Sequence, residues 1–168
     1  MAFSIYDASI PPMIRSFENL SKILDKAVAQ SKGEDKDANA LLDARLAPDM
    51  HPLTRQIQIA SDSAKGCAAR LAGVEPPSFP DTEQTFADLQ ARIAKTIDYL
   101  KSIKPGQLTD AESRTVTIKS PQRTFEFSGR DFLTGFALPN FYFHVTTAYA
   151  LLRHKGIAIG KMDFLGDV

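Results

Sequence analysis

Three histidines, His51, His144 and His154, are the side chains best suited to metal or proton chemistry in this chain of 168 residues. A metal centre on a helical scaffold takes three or four nitrogen or oxygen ligands, often with two histidines four residues apart on one helix face. That spacing is missing. The residue four after His144 is Ala148, and the residue four before it is Asn140, a weak ligand for a transition metal. His154 follows His144 by ten residues, about 15 Å along a helix and too far to share one ion. His51 precedes Pro52 and caps or flanks the helix that starts there. His144 is the first metal candidate and His51 the second, and for each a structural or surface role competes with ligation.

The other polar candidates lie on helix faces that point inward. Gln56 falls on the core side of the second helix, and Asn140, His144 and Thr147 fall on or beside the core side of the fourth. If those faces meet, they form a buried polar cluster whose members must be hydrogen-bonded, and which either binds a small ligand or only sets helix register. No paired carboxylates point inward, and Asp62 faces away from its apolar stripe, so acid–base hydrolysis lacks its usual partners. Cys67 sits among Ala64 and Ala68, where a thiol acts as a small apolar group. Gly129, Gly135, Gly156 and Gly160 form no phosphate-binding fingerprint. Lys+Arg and Asp+Glu are both 20, and the basic residues are scattered among acids, which argues against nucleic acid or an anionic membrane as a partner.

Helices must position these groups. Apolar residues recur at three- and four-residue steps over four segments. The first is expected over residues 9–30, with Ser9 as N-cap, Pro11 and Pro12 in its first turn, and Ile10, Met13, Ile14, Phe17, Leu20, Leu24 and Val28 on one stripe. A short helical piece follows over 38–46, ended by Pro48. The second helix starts at Pro52 and reaches Leu71, before Gly73. The stretch 74–80 carries three prolines and should be extended, gaining about 3.1 Å per residue, enough to cross between two parallel helices. The third helix is expected over 82–103. Alternation then switches to period two over 115–127, reading as a hairpin that turns at Ser120-Pro121-Gln122-Arg123. The last helix begins near Gly129 or Arg130 and ends at Lys155 before Gly156, and residues 157–168 read as a docked extension. The whole chain, 1–168, reads as one domain; 43% of it is apolar.

The last helix is apolar nearly all round. Phe136, Asn140, Phe143, Thr147 and His154 share one face, while Leu138, Tyr142, Val145, Tyr149 and Leu152 share the opposite one. The second set either packs on another copy, making a homodimer, or is covered by the hairpin or the C-terminal segment. Pro139 removes the hydrogen bond to Gly135 and predicts a kink beside Asn140 and His144.

Pro48-Asp49-Met50, Pro52-Leu53, Gln56-Ile57-Gln58, the run Leu138-Pro139-Asn140-Phe141-Tyr142-Phe143-His144, and Gly160-Lys161 with Asp163-Phe164-Leu165-Gly166 resemble a bacterial domain-of-unknown-function family grouped with the DinB/YfiT-like four-helix bundles. The resemblance covers nearly the whole chain. It implies an all-α, up-down-down-up four-helix bundle with helices two and three parallel, carrying here a small β-hairpin before the last helix. Superfamily members that hold a metal take one histidine from the second helix and two, spaced by four, from the fourth, and use it for thiol transfer with thiols such as bacillithiol or mycothiol. Here only His144 keeps a ligand position of the spaced pair, Ala148 replaces its partner, and Gln56 stands near the place of the second-helix ligand.

Three functions follow. The favoured one is a non-catalytic or small-ligand-binding bundle with a degenerate metal site, its ligand candidates being Gln56, Asn140, His144 and Thr147. The second is a metal-dependent transferase-like enzyme using His144 with a divalent Zn, Ni or Mn ion and His51, Gln56 or Asn140 completing the site. The third is a dimeric, stress-related interaction protein presenting Leu138, Tyr142, Val145, Tyr149 and Leu152. One cysteine, no apolar run near the ~20 residues of a membrane span and no signal-like start predict a soluble, cytoplasmic protein without a membrane partner.

Overall fold

A computed structural model describes residues 3–119 and 122–167. Helix α1 (Ile5–Gly33) starts at Ser4, not at the expected Ser9. The Ser4 hydroxyl accepts the Asp7 N–H at 3.2 Å while the Asp7 carboxylate accepts the Ser4 N–H at 3.0 Å. This reciprocal pair satisfies two donors that a helix start otherwise leaves orphaned, so the helix begins there and Pro11 and Pro12 fall inside it. Ser9 is buried, its hydroxyl donating to the Ile5 carbonyl at 2.6 Å. Ile10, Met13, Phe17, Leu20 and Leu24 are all at most 1% exposed, whereas Val28 leaves the stripe and faces solvent. Each such buried side chain stabilises the fold by about 1.5–3 kcal/mol.

A 3-10 turn, Ala38–Leu41, replaces the longer helical piece expected there. Helix α2 (Leu53–Ala72) is capped by Pro52 and stops at Gly73, whose φ of 73° is the left-handed conformation that glycine adopts without strain. The proline-rich connector is extended and continues further than expected, because Thr85 and Asp88 form a second capping box that delays α3 to Phe86–Ser102. An antiparallel hairpin follows, β1 (Thr115–Lys119) and β2 (Thr124–Ser128), with Val116 opposite Phe127 and Ile118 opposite Phe125. The expected turn residues Ser120 and Pro121 lie outside the described residues. At Gly129 a side chain would overlap the Ala111 carbonyl, so the junction between hairpin and helix closes only on glycine.

From Gly129 to His154 the backbone stays helical: α4 (Gly129–Phe132), a π-helical turn (Leu133–Ala137) and α5 (Leu138–His154). The π turn is what Pro139 produces. The Leu138 N–H reaches back five residues to the Leu133 carbonyl, widening the helix one residue before the proline that cannot donate. Past Gly156, helix α6 (Lys161–Leu165) docks on α1, where the Asn19 amide donates to the Phe164 carbonyl at 3.2 Å.

Partners across the helices show how they run. Ser21 meets Gln90 and Glu18 meets Lys101, so α1 and α3 are antiparallel. Phe17 stacks edge-on with Phe141, and Gln30 reaches Gly156, so α1 and α5 run together. Gln58 meets Glu83 and Ser61 meets Thr96, so α2 and α3 also run together, joined by the extended connector. No helix among the described residues is long and apolar enough to cross a membrane.

Candidate functional site

Helices α2 and α5 pack along much of their length, and polar side chains meet at two levels of that seam. At the first, His144 Nδ1 lies 2.6 Å from Gln56 Oε1, and Gln56 Nε2 donates to the His51 carbonyl at 3.0 Å. A carbonyl can only accept, so the Gln56 amide nitrogen faces His51 and its oxygen faces the ring. Nδ1 therefore carries the proton, and Nε2 keeps its lone pair. Both side chains are buried, Gln56 at 1% exposed and His144 at 8%. Burial holds the His144 pKa below the ordinary histidine value, and the neighbouring His51 and Arg55 push it the same way. The ring is thus neutral at physiological pH, able to accept a hydrogen bond or a proton at Nε2 but not placed as a charged acid.

Two turns along α2, Asn140 Nδ2 donates to Ser63 Oγ at 2.7 Å. Asn140 thus joins a separate pair, and not the Gln56–His144 cluster. Thr147 joins neither; its hydroxyl donates to the Phe143 carbonyl at 2.7 Å, one turn back on its own helix. His51 brings its backbone carbonyl to the cluster while its residue is exposed. His154 is exposed at the end of α5.

Among the described residues, no group of three histidine, cysteine, aspartate or glutamate side chains stands close enough to hold a metal ion. His144 offers one imidazole lone pair, and the Gln56 oxygen nearest to it is occupied by the Nδ1 proton. This donor set does not fit the three-histidine centre that the resemblance implies. Cys67 is fully buried, and burial pushes its thiol up to about 12, so it is no nucleophile or thiolate ligand.

On the last helix His144 and Thr147 are buried and Asn140 is half-buried, while the opposite set is also drawn against the core. Val145 and Leu152 are buried in the core, and Leu138, Tyr142 and Tyr149 are half-buried against it. Phe164 covers Tyr149 edge-on at 5.8 Å. The chain's own core and C-terminal segment thus cover much of this side, the second of the two alternatives open from sequence. Phe136 and Phe143, which share a helix face with Asn140, are 40% and 55% exposed. A helix that is apolar nearly all round offers more apolar surface than the core can take, so packing decides which aromatic residues stay outside.

Sequence reasoning missed a charged network on the opposite flank of α2. The Arg92 side chain, 2% exposed, donates to Asp62 at 2.9 Å, to Glu83 at 2.9 Å and to the Pro80 carbonyl at 3.1 Å, with Asp81 at 3.0 Å. Lys65 donates to the Pro77 carbonyl at 2.7 Å and pairs with Asp62, and Arg55 pairs with Asp81. Burial pushes the Glu83 carboxyl up, but hydrogen bonds from Arg92 and Gln58 together bring it below the ordinary value. Two of these carboxylates lie in the connector, where no helical period marks them. Ser63 was legible in principle, since it follows Gln56 by seven residues and so shares its helix face.

The family model described as "Domain of unknown function (DUF1993)" matches residues 5–165. The crystal structure of a DinB family member protein from Shewanella denitrificans is 39% identical over 98% of this chain and 93% of that chain, with a TM-score of 0.90. No curated protein matches the sequence. The seam of α2 and α5, its histidine and its proline-widened last helix therefore belong to a DinB-like protein, and the chain is a member of the DUF1993 family.

Proposed function

We propose that the protein is a non-catalytic, small-ligand-binding bundle in which the metal site of the wider superfamily has degenerated. The carrying observation is the 2.6 Å contact of Gln56 with His144: an amide side chain from the second long helix holds the Nδ1 proton of the one histidine that keeps a ligand position. The helix directions support an up-down-down-up arrangement of α1, α2, α3 and the last helix, which brings Gln56, His144 and Asn140 to a single seam. Of the four ligand candidates, Thr147 contributes least, since its hydroxyl serves its own backbone.

The test is elemental analysis of protein purified without a histidine tag, before and after incubation with zinc, nickel and manganese. The expected content is well below one equivalent in every case. Near one equivalent of metal, lost in His144→Ala, would overturn this reading in favour of the thiol transferase-like enzyme. The free lone pair on His144 Nε2 is the observation favouring that second reading. A stress-related interaction protein or homodimer would have to use the exposed Phe136 and Phe143, because Leu138, Tyr142, Val145, Tyr149 and Leu152 are largely covered.

A further inference from the structure

A cleft of about 230 Å3 opens at the Asn140 end of the seam, between α2, β1 and the π turn of the last helix. Phe132, Phe136 and Ile118 supply its apolar walls, and Ser63, Arg70 and Asn140 its polar edge. An enclosed apolar cavity of about 150 Å3 accepts benzene, and this open cleft has room for a six-membered ring with part of it left to solvent. Phe132 and Phe136 lie stacked at 6.0 Å, which gives such a ring an aromatic wall.

The polar edge is rich in unused donors. Arg70 lies back over Gly66, where the missing side chain makes room for its guanidinium, and it has no hydrogen bond or ion pair among the described residues. Ser63 accepts from Asn140, which leaves its own hydroxyl proton to give, and the Asn140 amide has a second N–H. Asp62 also lines the cleft, but its Oδ1 already receives Lys65 at 3.0 Å and Arg92, shared with Asp81 and Glu83, at 2.9 Å. A half-buried guanidinium without a partner, beside two further donors and below an aromatic wall, matches a carboxylate carried on a flat apolar body.

We propose that this cleft binds small aromatic or cyclic carboxylates, with Arg70 and Ser63 holding the carboxylate and Phe136 covering the ring. The assignment rests on the ligand-binding reading above and narrows it to one end of the seam, independent of His144. The experiment titrates phenylacetate and its neutral analogue phenylacetamide into uniformly 15N-labelled protein and follows the amide spectrum. Phenylacetate is expected to give saturable shifts at Ser63, Arg70, Phe136 and Asn140. Arg70→Gln should weaken it by about tenfold or more, the loss of a charge-assisted hydrogen bond. Phe136→Ala should weaken both compounds. The amide spectra of these variants show directly that each is folded. Equal affinity for phenylacetamide would overturn the carboxylate assignment. Shifts confined to Gln56 and His144 would overturn the cleft and leave the ligand-binding reading standing. No saturable shift at millimolar phenylacetate would also overturn the cleft, the broader reading then being decided by the metal analysis.

Discussion

Helix α2 makes two seams of opposite character. Toward α3 it uses charge: buried Arg92 gathers Asp62, Asp81 and Glu83, and Lys65 ties down the connector. Toward α5 it uses neutral groups: Gln56 with His144 and Ser63 with Asn140. Apart from the Arg92 Nε, which has no partner among the described residues, the charged seam spends its hydrogen-bonding capacity on itself, which suits a structural clasp, since a buried guanidinium is tolerated only among acceptors. On the neutral seam capacity is left over at His144 Nε2, the Ser63 hydroxyl proton and one Asn140 N–H. Recognition draws on such a surplus. The same helix thus separates holding from binding by the kind of polar group it turns to each neighbour.

The comparison is broken most severely at Arg92. Arg92→Leu leaves three carboxylates facing one another without their shared cation, and about 3 kcal/mol of stability should be lost, read as a lower urea midpoint at unchanged slope. A variant as stable as the parent would mean that the charged seam does not hold the connector. Next is Gln56→Leu, which strands the His144 Nδ1 proton and the His51 carbonyl; about 2 kcal/mol should be lost, less than at Arg92 because both stranded groups are neutral. A larger loss here than at Arg92 would reverse the assignment of roles.

The smallest effect is the pH dependence that sharpens the neutral seam. The folded-state pKa of His144 lies below its unfolded value, so the unfolded chain binds more protons in the window between them. The stability contributed by the neutral ring is present above the ordinary histidine value and is lost as pH falls through the lowered one. Urea midpoints should therefore decline on mild acidification, above the carboxylate range, and His144→Gln should flatten that decline. An unchanged slope in the variant would place the titrating group elsewhere.

Much of this architecture is legible in the residues because its punctuation is local. Gly73 and Gly156 stop helices at positive φ, three prolines between 74 and 80 extend the connector, and alternation from Thr115 marks the hairpin. The meeting of Gln56 with His144 is also legible, since each lies on the inward side of a periodic segment. Where signals compete, the stronger hydrogen-bonding device wins, as when the Ser4–Asp7 box starts α1 ahead of the prolines. What is illegible depends on partners distant in sequence. The exposure of Phe136 and Phe143 is one case, because the last helix is apolar nearly all round; the acceptors of Arg92 are another, because Asp81 and Glu83 belong to an irregular stretch.

The docking of α6 on α1 also has a consequence for biosynthesis. Asn19 and its acceptor Phe164 are separated by 145 residues, so at roughly 5–20 residues per second the ribosome delivers the second about 7–30 s after the first. Phe17 likewise waits for Phe141, its edge-on partner from the last helix, and until then the nascent chain presents an unsealed apolar helix to whatever is nearby. Closure of so long a loop comes late in folding, and the interval before it is the one in which a chaperone would find most to hold.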